Sequence, residues 1–427
     1  YYMTDIKVPK LLKGLQGCVE IPADKSISHR AVMFSALARG RSLIKNFSSG
    51  ADPHSTLKVF SGLGIGYKFI DEKTLEIFSD GVLHAPAKEL DCGNSGTTMR
   101  LMSGILAGQN FDSVMIGDES LSKRPMRRVI EPIALMGGEI QSHDGHAPLR
   151  VFGRRLKGID YVSKIASAQV KSCVLLAGLF ADGLTTVTEP CVSRNHTELM
   201  LKYLGADLNV EGKKVSICRS ILEAREIEIC GDISSAAYFI VAGLIVPGSD
   251  IILKNVGLNP TRTGILDVVA QMGGNIEILD ERECAGECVG DIRVKYSQLK
   301  ACEIGGEIIP RLIDELPVIA VLATQAQGQT IVKDAGDLRN KESDRIAAVV
   351  KELKKIGADI VETPDGFIIN GKTSILGGVE VETYHDHRLA MSLYVAGLIA
   401  EKEILIKDFQ WVDISFPEFL NLFQSLD

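Results

Sequence analysis

GLGIGYKF (62–69), LMGGEIQS (135–142), YLGADLNV (203–210), QMGGNIEI (271–278) and KIGADIVE (355–362) are five versions of one signature. In each, the apolar end of a helical run meets a Gly, and the residues that follow start a strand. Gly suits that place because a helix often closes on a residue at positive φ, where a Cβ is penalised. Working outward, small-residue helical runs lie upstream: SHRAVMFSALA, SGTTMRLMSGILAG, SAQVKSCVLLAGL, SSAAYFIVAGLI, DELPVIAVLATQA and HDHRLAMSLYVAGLI. Each is followed by a strand-like run: GRSLIKNF at Gly40, FDSVMIGD at Phe111, GLTTVTEP at Gly183, GSDIILKNV at Gly248, GQTIVKDA at Gly328 and KEILIKDF at Lys402. The pattern helix, strand, helix, strand therefore recurs every ~65–80 residues. The sixth copy ends differently, in FPEFLNLFQSLD. One such unit cannot bury both faces of its helices, so units are expected to pack around shared helices, three per domain.

The rest of the chain narrows the class. Its 427 residues exceed one ordinary core and predict two domains. Apolar residues make up 45% and charged residues 24%, enough for buried cores. A net charge of -8 with 6% aromatics argues against nucleic-acid or anionic-membrane binding, so any anion must be held by a local basic cluster. GLGIGY follows a helix, so its glycines read as a turn. No GxxxxGK[ST] occurs either, and both facts count against dinucleotide and ATP binding. Nine scattered cysteines predict a reducing compartment, and Cys284 and Cys288 lack a partner at zinc spacing. The opening YYMTDIKVPK has no apolar signal core, and no apolar stretch reaches the ~18 residues of a membrane span. The expectation is a cytoplasmic chain with no metal and no cofactor.

Polar groups gather where the first helix of each unit begins: DKSISHR at Asp24, GNSGTTMR at Gly93, SAQ at Ser167, DISS at Asp232, IDE at Ile313 and HDHR at His385. Each is an ordinary N-cap sequence. Yet exposed N–H groups at a helix start also suit phosphate or carboxylate. Basic residues accompany them: Lys25, Arg30, Arg124, Lys341, Arg345 and Arg388. An Arg–phosphate or Arg–carboxylate fork is a directional, charge-assisted contact. Helix starts converging on one cleft would form an anion trap.

ADKSISHR at Ala23, GNSGTTMR at Gly93, KRPM at Lys123, SAQ at Ser167, LIDELP at Leu312, KESDRI at Lys341 and DHRLAM at Asp386 together resemble the EPSP synthase (3-phosphoshikimate 1-carboxyvinyltransferase) family. The motifs run in family order over nearly the whole chain. The resemblance implies an α/β fold: a two-domain inside-out α/β barrel of six βαβαββ-type units, three per domain. It also implies an interrupted domain, with residues 1–22 plus 231–427 as one domain, 23–230 as the other, and the active site in the cleft between them.

The resemblance further implies roles. Lys25 would touch both substrates. Ser26, Arg30, Ser167, Ala168, Gln169, Arg194, Asp314 and Lys341 would meet shikimate 3-phosphate. Asn94, Gly96, Arg124 and Gln169 would meet phosphoenolpyruvate, whose carboxylate Arg345 and Arg388 would clamp. Asp314 would be the base near the 5-hydroxyl, Glu342 the acid, and Lys25 would stabilise developing negative charge. Arg127, Arg128 and Arg100 are left outside the site. The expected partners are these two small molecules and the inhibitor glyphosate, with a monomeric chain.

Two departures matter. Ile414, in DISFP, stands where many members carry Lys, and Leu101 stands where others have Pro. Asp337 replaces an Asn of some members. These features resemble a glyphosate-tolerant subset, although Gly96 is the sensitive type. Two rivals remain: a transferase acting on UDP-N-acetylglucosamine, and a non-catalytic anion binder of the same fold. The first usually has a reactive Cys after the second unit's motif, and no Cys lies between Cys92 and Cys173.

Overall fold

The computed structural model describes residues 5–426. The opening YYMT, part of the stretch read for a signal core, lies outside them. All five signature glycines take the left-handed conformation: Gly64 (φ +88°), Gly137 (+85°), Gly205 (+92°), Gly273 (+77°) and Gly357 (+105°). Each follows a helix, respectively Ala51–Gly62, Arg127–Leu135, His196–Tyr203, Gly264–Gln271 and Arg345–Lys355. Each then releases the chain into a strand, from Gly66–Phe69 in the first copy to Ile360–Thr363 in the fifth. The turn chemistry thus sets the unit's geometry.

The sheets repeat as the sequence does. In one, Asp160–Val162 runs parallel to Thr185–Thr188, which pairs antiparallel with Lys214–Ile217. That strand forms a hairpin with Leu208–Glu211. Four other sheets share this order, around Ala38–Lys45, Ser113–Ile116, Asp250–Gly257 and Ala326–Val332. The sixth has three strands, and in place of a hairpin the chain enters the short helices Phe409–Ile414 and Phe419–Gln424. Phe416, Phe419 and Phe423 pack there on Phe239. This aromatic cluster does the covering that a hairpin does elsewhere.

The chain divides into two compact units. The inserted unit holds Ala23–Ile229 with Glu283–Glu287, and the terminal unit holds the described residues up to Pro22, Cys230–Arg282 and those from Cys288 onward. Strand exchange explains the interruption. In the inserted unit, Leu222–Glu223 and Glu226–Glu228 of the last repeat pair with Ala38–Lys45 of the first. In the terminal unit the missing strands come from the start of the chain: Gln16–Glu20 pairs with Asp250–Gly257, and Ile6–Val8 with Ile404–Ile406.

The first helices of the repeats form the cores. They are Lys25–Leu37, Gly96–Ala107 and Ala168–Gly178 in the inserted unit. In the terminal unit they are Ile233–Ile245, Leu316–Thr324 and His387–Gly397. All six are buried along most of their length, and the charged residues on four of them lie in the first turns. At one crossing a side chain is impossible without movement, because a Cβ on Gly104 would lie 2.1 Å from the Cys173 carbonyl oxygen. Among the described residues, no helix is long and apolar enough to cross a membrane.

Candidate active site

In the inserted unit, Asp24 caps the first core helix by accepting from the Ile27 N–H at 2.9 Å. Lys25 is thereby the first helical residue, with Nζ 3.3 Å from Asp52 Oδ2. Ser26 follows, half-buried. One turn on, Arg30 is only 3% exposed. Its Nε donates to Thr197 Oγ1 at 2.7 Å, and its two terminal nitrogens to the Ser26 carbonyl at 2.9 Å and Ser172 Oγ at 3.1 Å. All three acceptors are neutral. Burial pushes the guanidinium pKa down to about 10, against the pull of Glu198 and Asp24. Arg194, half-buried on the loop before the His196–Tyr203 helix, adds a like charge that acts on Arg30.

Beside this group, Ser95 caps the Gly96–Ala107 helix and Ser167 caps Ala168–Gly178. Gln169 Oε1 accepts from Arg100 at 2.6 Å, and its Nε2 donates to Thr97 Oγ1 at 3.1 Å. Arg124 donates to Asn94 Oδ1 at 2.8 Å and to Ser120 Oγ at 3.3 Å, while Asn94 Nδ2 donates to Asp118 Oδ2 at 2.7 Å. A Cβ on Gly96 would stand 3.1 Å from an Arg100 nitrogen and 3.4 Å from one of Arg124. The bare glycine therefore lets two guanidinium groups close on a helix start. Asn94, Gly96, Arg124 and Gln169 form one connected group, joined by Arg100. Sequence reasoning left Arg100 out, but it holds the Gln169 amide. Arg127, also left out, pairs with Asp144 on the surface.

The terminal unit gathers a different set. Asp314 lies in the tight turn Ile313–Glu315, and Leu316–Thr324 begins with no side-chain cap. The Asp314 side chain is 12% exposed, with Oδ1 3.4 Å from Lys341 Nζ and 3.5 Å from an Arg345 terminal nitrogen. Arg345, 2% exposed, grips Asp386 with Nε at 2.7 Å and a terminal nitrogen at 3.2 Å. That same nitrogen reaches Glu342 Oε2 at 2.6 Å. Burial works against the Arg345 charge, yet Asp386 and Glu342 outweigh it and raise the pKa above its ordinary value. Arg388 donates its backbone N–H to Asp386 Oδ1 at 2.9 Å, and its side chain reaches the Asp314 carbonyl at 3.4 Å and Glu315 Oε1 at 4.0 Å.

The predicted residues of this unit, Asp314, Lys341, Glu342, Arg345 and Arg388, thus form one network. Its hub, Asp386, was quoted within a motif but given no role. Glu315, buried and bonded to Ser234 Oγ, was also missed. The available signal was charge balance: Arg345 and Arg388, buried at helix starts, demand nearby carboxylates, and acidic residues adjoin both in sequence.

A family profile described as EPSP synthase (3-phosphoshikimate 1-carboxyvinyltransferase) matches residues 10–423. The 3-phosphoshikimate 1-carboxyvinyltransferase of Thermoanaerobacter sp. (strain X514) is 51% identical over 425 residues, 99% of this chain and all of that protein. The chain belongs to the EPSP synthase family. The Bacillus velezensis enzyme of the same name is 52% identical, covering 97% of each chain. A solved EPSP synthase from Acinetobacter baumannii superposes with a TM-score of 0.90 at 43% identity, over 99% of this chain and 98% of that one. An enolpyruvyl transferase from Streptomyces tendae, 15% identical with a TM-score of 0.79, shows the shared fold alone. The inside-out α/β barrel architecture expected from the motifs is that of these EPSP synthase structures. The UDP-N-acetylglucosamine alternative is not favoured.

Proposed function

We infer that the chain transfers the enolpyruvyl group of phosphoenolpyruvate to the 5-hydroxyl of shikimate 3-phosphate and releases phosphate, with both residue sets acting on the same substrate pair. The observation that carries the residue assignment is Asp314. It is a largely buried carboxylate set between Lys341 and Arg345.

Chemistry requires one base and one acid that are not equivalent. Asp314 takes the proton of the 5-hydroxyl, whose oxygen attacks the second carbon of phosphoenolpyruvate. Glu342 gives a proton to the methylene carbon, which becomes methyl. The tetrahedral intermediate then loses phosphate and one methyl proton, restoring the vinyl group. Glu342 Oε2 lies 2.6 Å from a terminal nitrogen of Arg345, the guanidinium assigned to the substrate carboxylate.

In this reading Arg30, Ser26, Ser167, Ala168, Gln169 and Lys341 hold shikimate 3-phosphate, with Arg194 on its 3-phosphate. Asn94, Gly96, Arg124 and Gln169 hold phosphoenolpyruvate, with Arg345 and Arg388 on its carboxylate. Lys25 stabilises charge that develops in the transition state. The chain works as a cytoplasmic monomer in this reading, and the nine scattered cysteines fit a reducing compartment. Glyphosate competes with phosphoenolpyruvate more weakly than in Lys-bearing members, because Ile414 supplies no cation. Low-micromolar competition would overturn that point.

Incubation with both substrates, reading released phosphate and the enolpyruvyl product, tests the function directly. Binding of shikimate 3-phosphate without phosphate release would refute the transfer.

A further inference from the structure

Lys171 lies inside the apolar helix Ala168–Gly178, 2% exposed, and no step above uses it. Its Nζ stands 2.9 Å from Glu189 Oε2 and 2.7 Å from Glu198 Oε1, and donates to the Ser193 carbonyl at 3.3 Å. Both carboxylates are buried. Each keeps a second oxygen, Glu189 Oε1 and Glu198 Oε2, that is buried without a hydrogen-bond partner among the described residues. One ammonium therefore serves two carboxylates, which leaves this pocket short of positive charge.

Arg30 is the neighbouring cation. Two of its acceptors adjoin this ion cluster in sequence: Ser172 follows Lys171, and Thr197 precedes Glu198. The two hydroxyls bond each other at 2.6 Å. Glu198 is also the charge that acts most strongly on Arg30, although no carboxylate is bonded to that guanidinium.

We propose that Lys171 is a positioning residue that ties up Glu189 and Glu198, so that Glu198 does not become the counter-ion of Arg30 and the guanidinium stays available to the anionic substrate. The proposal rests on the reading that Arg30 meets shikimate 3-phosphate. Without Lys171, the Glu198 carboxylate is a buried charge beside a buried cation, and pairing with Arg30 is its cheapest remedy. The substrate anion must then displace an internal carboxylate.

Two variants separate this role from mere bracing. Lys171→Met with Glu189→Gln leaves Glu198 charged and unpaired. Adding Glu198→Gln removes the competitor but lacks the lysine equally. The first is expected to raise KM for shikimate 3-phosphate about tenfold or more, with kcat within about twofold. The triple variant is expected to return KM to within about threefold of wild type. Equal KM defects in both, at matched melting temperatures, would overturn the proposal, because a purely structural loss is common to both.

If the first variant does not fold, Glu198→Gln alone decides. It should leave shikimate 3-phosphate binding unchanged or tighter by calorimetry, and a weakening beyond about threefold would refute the idea. Arg30→Gln distinguishes the underlying reading. Wild-type binding there removes that reading and the proposal with it. Weakened binding there with no KM effect from the Glu198-bearing variant removes the proposal alone.

Discussion

Arg30 and Arg345 are both buried near the starts of helices, yet their surroundings are opposite. Arg30 donates to two hydroxyls and a carbonyl, and burial lowers its pKa to about 10. Arg345 reaches Asp386, Glu342 and Asp314, and these carboxylates outweigh burial and raise its pKa. An arginine hydrogen-bonded only to neutral acceptors has no carboxylate directly bonded to it and can accept an incoming anion. An arginine among carboxylates instead fixes those carboxylates, and carboxylates are what proton transfer needs. In the proposed reading, Arg30 of the inserted unit meets an anion directly, while Arg345 of the terminal unit also orders the carboxylates that would handle protons.

The most direct way to break this contrast is Asp314→Ala. Turnover should fall by ~10²–10⁴, the range for losing a general base. A loss below about tenfold with the fold intact, measured by phosphate release, would remove Asp314 from the proton-handling role.

Next in size is Arg345→Met, which strands the buried Asp386. Breaking such a pair costs about 3–5 kcal/mol, readable by urea unfolding. Arg30→Gln should destabilise less, because no carboxylate is bonded to Arg30. It should instead raise KM for shikimate 3-phosphate about tenfold or more. If the two variants show similar stability losses, the contrast between the arginines is wrong.

The smallest effect concerns His29, next to Arg30 in sequence and bonded through Nδ1 to Thr56 Oγ1 at 2.7 Å. Burial, then the Lys25 and Arg30 charges, hold its pKa well below 6.5. A depressed folded-state value means that the unfolded chain binds the proton first as pH falls. Stability is full above pH ~6.5 and declines below it, by up to about 1.4 kcal/mol per pH unit. His29→Asn should flatten that decline in denaturation curves recorded between neutral pH and about pH 5. An unchanged slope would show that His29 does not sense the cationic side of the inserted unit.

Much was legible in the one-dimensional pattern because its causes are local. A left-handed Gly after each outer helix, polar caps at Asp24, Ser95, Ser167, Asp232 and Asp386, and apolar inner helices depend on neighbours a few residues away. The motifs carried the family, and with it the catalytic candidates. Less visible were Asp386 as the hub of Arg345, Arg100 as the brace of Gln169, and the Lys171 cluster. The lone lysine in AQVKSCVLLAG was a signal, since a charge in an apolar helix must find partners.

The sequence by itself determined the repeat, its turns, the core helices and the list of charged residues available for chemistry. Only the tertiary structure decided which charge answers which. Asp314 and Arg345 are 31 residues apart, Arg345 and Asp386 41, and Arg30 and Thr197 167. Such pairings are set by how helices from different repeats pack, because electrostatic partners are chosen by distance in space and by burial, and neither is written in residue order.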